Sequence, residues 1–467
     1  MNALMTEFMK RAKGGLRLQD LDSLTTELRS RERYRRIGLT AITSMGARGI
    51  GIATALISVP LTLRYLGAEE YGLWVTITAV TAFLTFANFG LGNGLVNGVS
   101  EAQGRNDREA VRRYVSSAFY MLLGVMTILG LTFAVVYPLV PWPRVFNVVS
   151  SDAAAVAGPA TAVVLILTLV GLPLSIVEST RAGFQEGFAS SVWQGVGSVV
   201  SLVALIIAIG VQADLPWLVL ALGGGPVVAA LLNGAVLFHR RPWLIPRPKQ
   251  ATLPAAKRMM RLGSMFFILA IAAAVAYQTD NIVIARFLGP EEVTQYAVPM
   301  KLFMITPLIL SFALTPLWPA YSEALARGDR SWVRRTLTRS MVISGSLGLA
   351  MSTLLLAFGV PVLHAWAGDD INPTTPLLLG LAAWAVVSCV VGPIAMYLNG
   401  SSALGFQAVC ATIMMTANLA LSIALTRAVG ISGPVWGSVI AQVVCVLVPC
   451  AIYTRSTLKR LAVVGVD

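Results

Sequence analysis

Charge is scarce in this chain. Only 12% of its 467 residues are charged, while 56% are hydrophobic, and the mean hydropathy is +0.74. Soluble domains carry about 25% charged residues, so a soluble globular fold is excluded and the bilayer is the main solvent. Histidine is nearly missing. His239 and His364 lie at predicted span ends on opposite sides of the membrane, which excludes a shared metal site. Cysteine is also rare: Cys389, Cys410, Cys445 and Cys450 sit in late apolar stretches without C-x-x-C spacing. That pattern points to buried, inert thiols rather than a disulfide framework or a metal centre. No G-x-S-x-G, H-E-x-x-H or Walker loop occurs, so the common catalytic constellations are absent and ATP energy would need another subunit. Outer loops are short as well, the longest near 139–152, which leaves no extramembrane domain to hold an active site. The net charge of +13 does not point to nucleic acid, because the basic residues are spread over alternate loops instead of forming one basic face.

What the chain does have is an internal repeat. Residues 100–113 read SEAQGRNDREAVRR and residues 322–335 read SEALARGDRSWVRR, an offset of 222. At the same offset RYLGAEE (64–70) becomes RFLGPEE (286–292). Two matches at one spacing identify two fused copies of one unit, far longer than solenoid repeats of roughly 20–50 residues and of the kind from which transporters are built. The copies share loop residues, whose Arg and Asp are expected to cap helices and bridge inner loops.

Residues 1–36 lack the continuous apolar core of a signal peptide. Leu18, Leu21, Leu24 and Leu28 recur at helical spacing among charges, which predicts a short amphipathic helix on the inner membrane surface. Arg29, Arg31, Arg33, Arg35 and Arg36 follow, and are expected to face anionic lipid. Twelve apolar stretches are long enough to cross about 30 Å of hydrocarbon: 37–63, 71–99, 115–138, 153–176, 191–211, 215–238, 263–287, 293–321, 339–364, 373–398, 407–426 and 431–453. The expected architecture is thus an all-α integral membrane protein. It comprises a cytoplasmic segment (1–36), a six-helix bundle (37–238), a basic linker (239–262), a second six-helix bundle (263–453) and a tail (454–467). With the N-terminus inside, inner segments hold 29 Lys and Arg, and outer loops hold four: Arg64, Arg144, Arg286 and Arg427. That bias places both termini in the cytoplasm. An even number of passes per copy gives parallel repeats, related by an axis along the membrane normal.

Charges inside spans are costly and are functional candidates. Arg48 lies in span 1, Asp280 in span 7 and Lys301 in span 8. The latter two fall at roughly 12 Å depth at 1.5 Å per residue, so they are placed to pair, either as a static ion pair or as part of a coupling site. At the repeat offset Asp280 falls on Ser58 and Lys301 on Ala79; Arg48 falls on Ala270, or on Ala273 with a three-residue gap. The buried charges are therefore not required twice by the fold. Arg48 and Lys301 facing a cavity would make an anion site, and Asp280 would take up a proton or cation. Gly90, Gly92, Gly94 and Gly98, with Asn88, Asn93 and Asn97, permit either close packing or unwinding in span 2. Pro299, Pro307, Pro316 and Pro319 predict kinks in span 8. Tyr277 and Tyr296 are candidates to line a cavity and stack on sugars; for Trp318 and Tyr321 an aromatic-belt position is the competing expectation.

The segments TDNIVIARFLGPEEVTQYAVPMKLF (279–303), PLTLRYLGAEEYGLW (60–74) and NFGLGNGLVNGVSEA (88–102) resemble bacterial oligosaccharide flippases of the multidrug/oligosaccharidyl-lipid/polysaccharide (MOP) superfamily, across essentially the whole chain. The resemblance implies two MATE-like bundles around a central cavity. It implies a substrate, an oligosaccharide on undecaprenyl pyrophosphate, moved from the inner to the outer leaflet of the bacterial inner membrane by alternating access. It further implies cavity cations on the pyrophosphate and proton or sodium coupling without a cofactor; whether the protein acts alone or beside a polysaccharide polymerase and chain-length regulator stays open. Lipid II flippases usually have two further helices, whereas twelve passes match O-antigen or exopolysaccharide flippases. Two alternatives stand beside this: a drug or cation antiporter on the same fold, expected to have an acid-dominated cavity, and a membrane glycan polymerase, expected to carry a large outer loop.

Overall fold

The computed structural model describes residues 26–463 except 83–87, 147, 149, 289, 368–370 and 402. Among the described residues there are helices and no strands, as dictated by a solvent that cannot satisfy open backbone groups. Helix α1, Thr26–Ala82, makes the first pass and turns at Gly67 (φ 75°, ψ 176°) into the second, a conformation that glycine adopts without a Cβ clash. After 83–87 comes a turn at 88–90, where the Gly90 N–H donates to Asn88 Oδ1 at 2.9 Å. Then α2, Leu91–Gly104, completes pass two. The Asp107 carboxylate accepts from Ala110 N at 2.8 Å and caps α3, Arg108–Val136, as the repeat loop predicts. Helices α4 (Ser151–Gly183), α5 (Gly187–Gly210) and α6 (Leu215–Arg240) finish the first half.

The second half opens with α7 (Leu253–Phe287) and α8 (Pro290–Leu314). Pass eight is broken at Thr315 and Pro316, and resumes as α9 (Leu317–Ala326); of the four expected proline sites only Pro316 interrupts the helix, while Pro299, Pro307 and Pro319 lie within helices. It continues with α10 (Arg330–Ala367), α11 (Thr375–Gly400), α12 (Leu404–Val429), α13 (Gly433–Gln442) and α14 (Val448–Val463). Nine helical stretches among the described residues are long and apolar enough to cross a membrane. One of them, 404–457, holds two passes: the chain turns at Gly430 (φ 69°), and Gly433 and Gly437 then pack back against Leu425 and Leu421 of α12. With the divided pass two and α7, this restores the twelve.

Apolar side chains point outward all round the molecule. Ile128, Leu131, Ile207 and Phe358 are among more than fifty exposed large hydrophobics, which lipid covers. Hydroxyls within the helices bond back to their own turn: Thr62 donates to Ser58 O and Thr161 to Ala157 O, each at 2.7 Å, so they cost little in hydrocarbon. The halves meet through α2, which lies against α7 and α9. A Cβ on Gly90 would stand 2.2 Å from Gly263 O, one on Gly94 2.6 Å from Met259 O, and one on Gly104 2.5 Å from Ala326 Cβ. Gly104 and Ala326 are themselves spaced by 222, so equivalent positions of the two copies touch one another.

Two expectations are corrected. From residue 26 the N-terminal segment is continuous with the first pass, and Arg33 and Arg36 are buried, not laid on lipid headgroups; residues 1–25 lie outside the described part. The linker is shorter than 239–262, since helix runs to Arg240 and resumes at Leu253. The segment between is tied down: Arg241 Nη2 pairs with Glu186 Oε1 at 2.5 Å, and Thr252 N donates to Ser117 Oγ at 2.9 Å.

Candidate functional site

Two polar sites lie inside the apolar shell. The first is a cavity of about 230 Å³ between α1, α4 and α5 of one half and the α8–α9 break of the other. The break matters: Thr315, Pro316 and Pro319 form the wall where a continuous helix would close it. Arg36 and Arg48, three turns apart on α1, both line it. The Arg48 guanidinium stands 4.1 Å from the Phe312 ring centroid, a cation–π contact that holds it on the wall while leaving its N–H groups for a ligand. Arg36 donates to Phe184 O at 2.9 Å and pairs with Glu32. Glu178 lines the same cavity and accepts from Gln194 Nε2 at 2.8 Å. Ser44 and Ser191 join across it at 2.8 Å. Such a wall offers guanidinium and amide donors suited to phosphate oxygens, with a single carboxylate among them.

Sequence reasoning placed Arg48 on a cavity but missed Glu178, two residues beyond the expected end of span 4. Trp318 belongs to this wall and not to an aromatic belt: its Nε1 donates to Asn97 Oδ1 at 2.5 Å, across the halves, and its ring lies 4.8 Å from that of Phe266. Tyr321 is fully buried.

The second site surrounds Asp280 on α7, inside the second half. Ser422 Oγ lies 2.8 Å from Asp280 Oδ1; Ser438 Oγ and Tyr296 OH lie 2.9 and 3.1 Å from Oδ2. Asn418 Oδ1 is 2.9 Å from Ser438 Oγ and 3.5 Å from Ser422 Oγ. Each serine hydroxyl has one hydrogen and faces two acceptors, one on Asp280 and one on Asn418, so it satisfies only one at a time. Six oxygens from α7, α8, α12 and α13 thus converge. A cluster of this kind could take up a proton on the carboxylate or hold a small cation on its oxygens.

The expected pairing of Asp280 with Lys301 is not formed. Asp280 is enclosed by hydroxyls, whereas Lys301 is exposed on α8. Sequence depth put the two at one level but could not say which way α8 faces. Tyr296 is 3% exposed and committed to Asp280, so it is no platform for a sugar. The Tyr277 side chain lies outside the described residues.

The family described as polysaccharide biosynthesis protein matches residues 40–325. The chain belongs to that family. It is similar to an uncharacterized membrane protein, EpsK, of Bacillus subtilis, 21% identical over 416 residues that cover 86% of this chain and 79% of that one. It is also similar to a putative O-antigen transporter of Salmonella typhimurium, 22% identical over 69% of this chain and 74% of the other. Among solved structures, an outward-facing multidrug resistance MATE family transporter of the MOP superfamily superposes with a TM-score of 0.74 at 15% identity, covering 92% of this chain and 96% of that one. The polysaccharide biosynthesis family member therefore has the MATE fold, all-α and membrane-embedded.

Proposed function

We propose that this protein translocates an oligosaccharide linked to undecaprenyl pyrophosphate from the inner to the outer leaflet of the cytoplasmic membrane, for O-antigen or exopolysaccharide assembly. The observation that carries the reading is the cavity between the halves, where Arg36 and Arg48 present guanidinium groups within a polysaccharide-biosynthesis fold. Guanidinium matches the paired oxygens of a pyrophosphate, and an interbundle site is where alternating access exposes a substrate to each side in turn. The basic loops, including both copies of the SEA segment, face the cytoplasm in this reading. Asp280, with Ser422, Ser438, Asn418 and Tyr296, takes up the coupling ion, a proton or sodium. Because that site joins four helices of one half, occupancy changes how they pack, and the bundle that forms half the cavity changes with them. No cofactor is invoked. A glycan polymerase and a chain-length regulator are the expected neighbours.

Glu178 gives a second reading some support, since a cavity carboxylate suits an organic cation. Cells lacking the gene discriminate. Accumulation of lipid-linked oligosaccharide on the inner leaflet, cleared by the wild-type gene and not by Arg48→Ala, supports the flippase. Normal glycan export with reduced drug tolerance would support the antiporter instead.

A further inference from the structure

The duplicated SEA segments carry one glutamate each, Glu101 and Glu323, at the shared offset of 222. Each is paired by an arginine from the opposite half. Arg33, at the start of α1, donates Nε to Glu323 Oε2 and Nη2 to Asp329 Oδ2, both at 2.7 Å. Arg258, near the start of α7, pairs with Glu101. The two arginines are 225 apart, the repeat offset plus the three-residue gap that also aligns Arg48 with Ala273. Each glutamate has a second partner four residues along its own segment, Arg105 for Glu101 and Arg327 for Glu323. The arrangement is crossed and pseudo-twofold, and its axis passes where Gly104 meets Ala326.

We propose that these two glutamates form one crossed latch, which seals the face bearing the basic loops and must open for the transporter to face that compartment. Polar contacts reinforce the seal across the halves: Arg327 Nη2 to Gln103 O at 3.2 Å, Asn97 Nδ2 to Asn399 O at 2.8 Å, and Tyr34 OH with Thr336 Oγ1 at 2.6 Å. The two arms are unequal. Arg33 and Glu323 are fully enclosed, with Arg33 also over the Trp332 ring at 4.9 Å, whereas Arg258 and Glu101 are partly open to solvent. Water therefore reaches the Glu101 arm first, and the Glu323 arm holds the seal. Gln185 links the latch to the cavity, since it lines the cavity and stands 3.5 Å from Glu323 Oε2. The duplicated loop is thus kept twice because the gate needs both copies. Only the name of the side, cytoplasmic, rests on the orientation given above.

The test uses the full-length protein in membrane vesicles, with the four native cysteines replaced and Ser44→Cys reporting from the cavity wall. A membrane-impermeant maleimide is applied to vesicles of each orientation. With the latch intact, labelling from the basic-loop side is slow. Glu101→Arg accelerates it several-fold, and the double swap Glu101→Arg with Arg258→Glu restores the slow rate. Glu323→Gln accelerates it further if it inserts; the partly open Glu101 arm keeps the test independent of that. Labelling of Glu101→Arg at the parent rate, or a double swap as fast as the single, overturns the latch. Acceleration seen only from the side opposite the basic loops overturns it as well.

Discussion

Asp280 shows how much a residue type can disclose by itself. A carboxylate inside an apolar stretch is costly enough to be read from sequence as a site. Its partners could not be, because Ser422, Ser438 and Asn418 lie about 140 to 160 positions away and are ordinary residues in membrane helices. Asp280→Asn is expected to insert normally and to remove the dependence of transport on a proton or sodium gradient; ion-driven uptake in vesicles checks this. Ser438→Ala removes one oxygen and should weaken coupling less than Asp280→Asn in the same assay. Arg48 was legible as a cavity charge, Lys301 misled because depth does not fix the face of a helix, and Glu178 was hidden by falling just past an apolar run. Arg48→Ala removes a charge-assisted contact of about 1.5–3 kcal/mol, which is roughly ten- to hundredfold in substrate affinity; half-maximal transport concentration is the readout. Arg33 was assigned to the lipid surface because five arginines between positions 29 and 36 suggest one role. Its contacts give it another: Arg33→Ala leaves the enclosed Glu323 with only one of its two arginines, a destabilisation seen as a lowered melting temperature in detergent.

At the scale of elements, the glycines and prolines are the informative punctuation. The run from Gly90 to Gly98 admitted two readings, close packing or unwinding, and the structure contains both. Gly90 has φ 70° at the start of α2, while Gly94 brings its backbone against Met259 of α7. A Gly94→Val side chain has no room against a backbone oxygen and must push α2 off α7. The expected outcome is faster proteolysis at the basic loops with retained membrane insertion. The prolines of span 8 were legible as a break, but what the break does was not: it opens the wall of the cavity at Thr315 and Pro316. Polar latches between distant segments were equally hidden, because Arg33 and Glu323 are separated by 290 residues and no local pattern records the pairing.

The whole molecule is two copies of one six-pass unit, and this was the most legible level. Length and apolarity determine the number of passes because the bilayer leaves the backbone few options. The repeat predicted similar halves, and the contact of Gly104 with Ala326 agrees with it. What the repeat could not reveal is where the copies depart from symmetry, and those departures carry the transport reading. Arg48 lies in one half and Asp280 in the other, without counterparts at the shared offset. In the proposed reading, anion recognition lies in one half and ion binding in the other. The most direct measurement is translocation itself: purified protein in liposomes that hold an undecaprenyl-pyrophosphate-linked oligosaccharide, with glycan exposure followed by an added glycosidase. Glycan initially shielded in the inner leaflet becomes accessible with wild-type protein, more rapidly under an ion gradient, and not with Arg48→Ala. Accessibility no greater than in protein-free liposomes, from correctly folded protein under either gradient, would contradict the account.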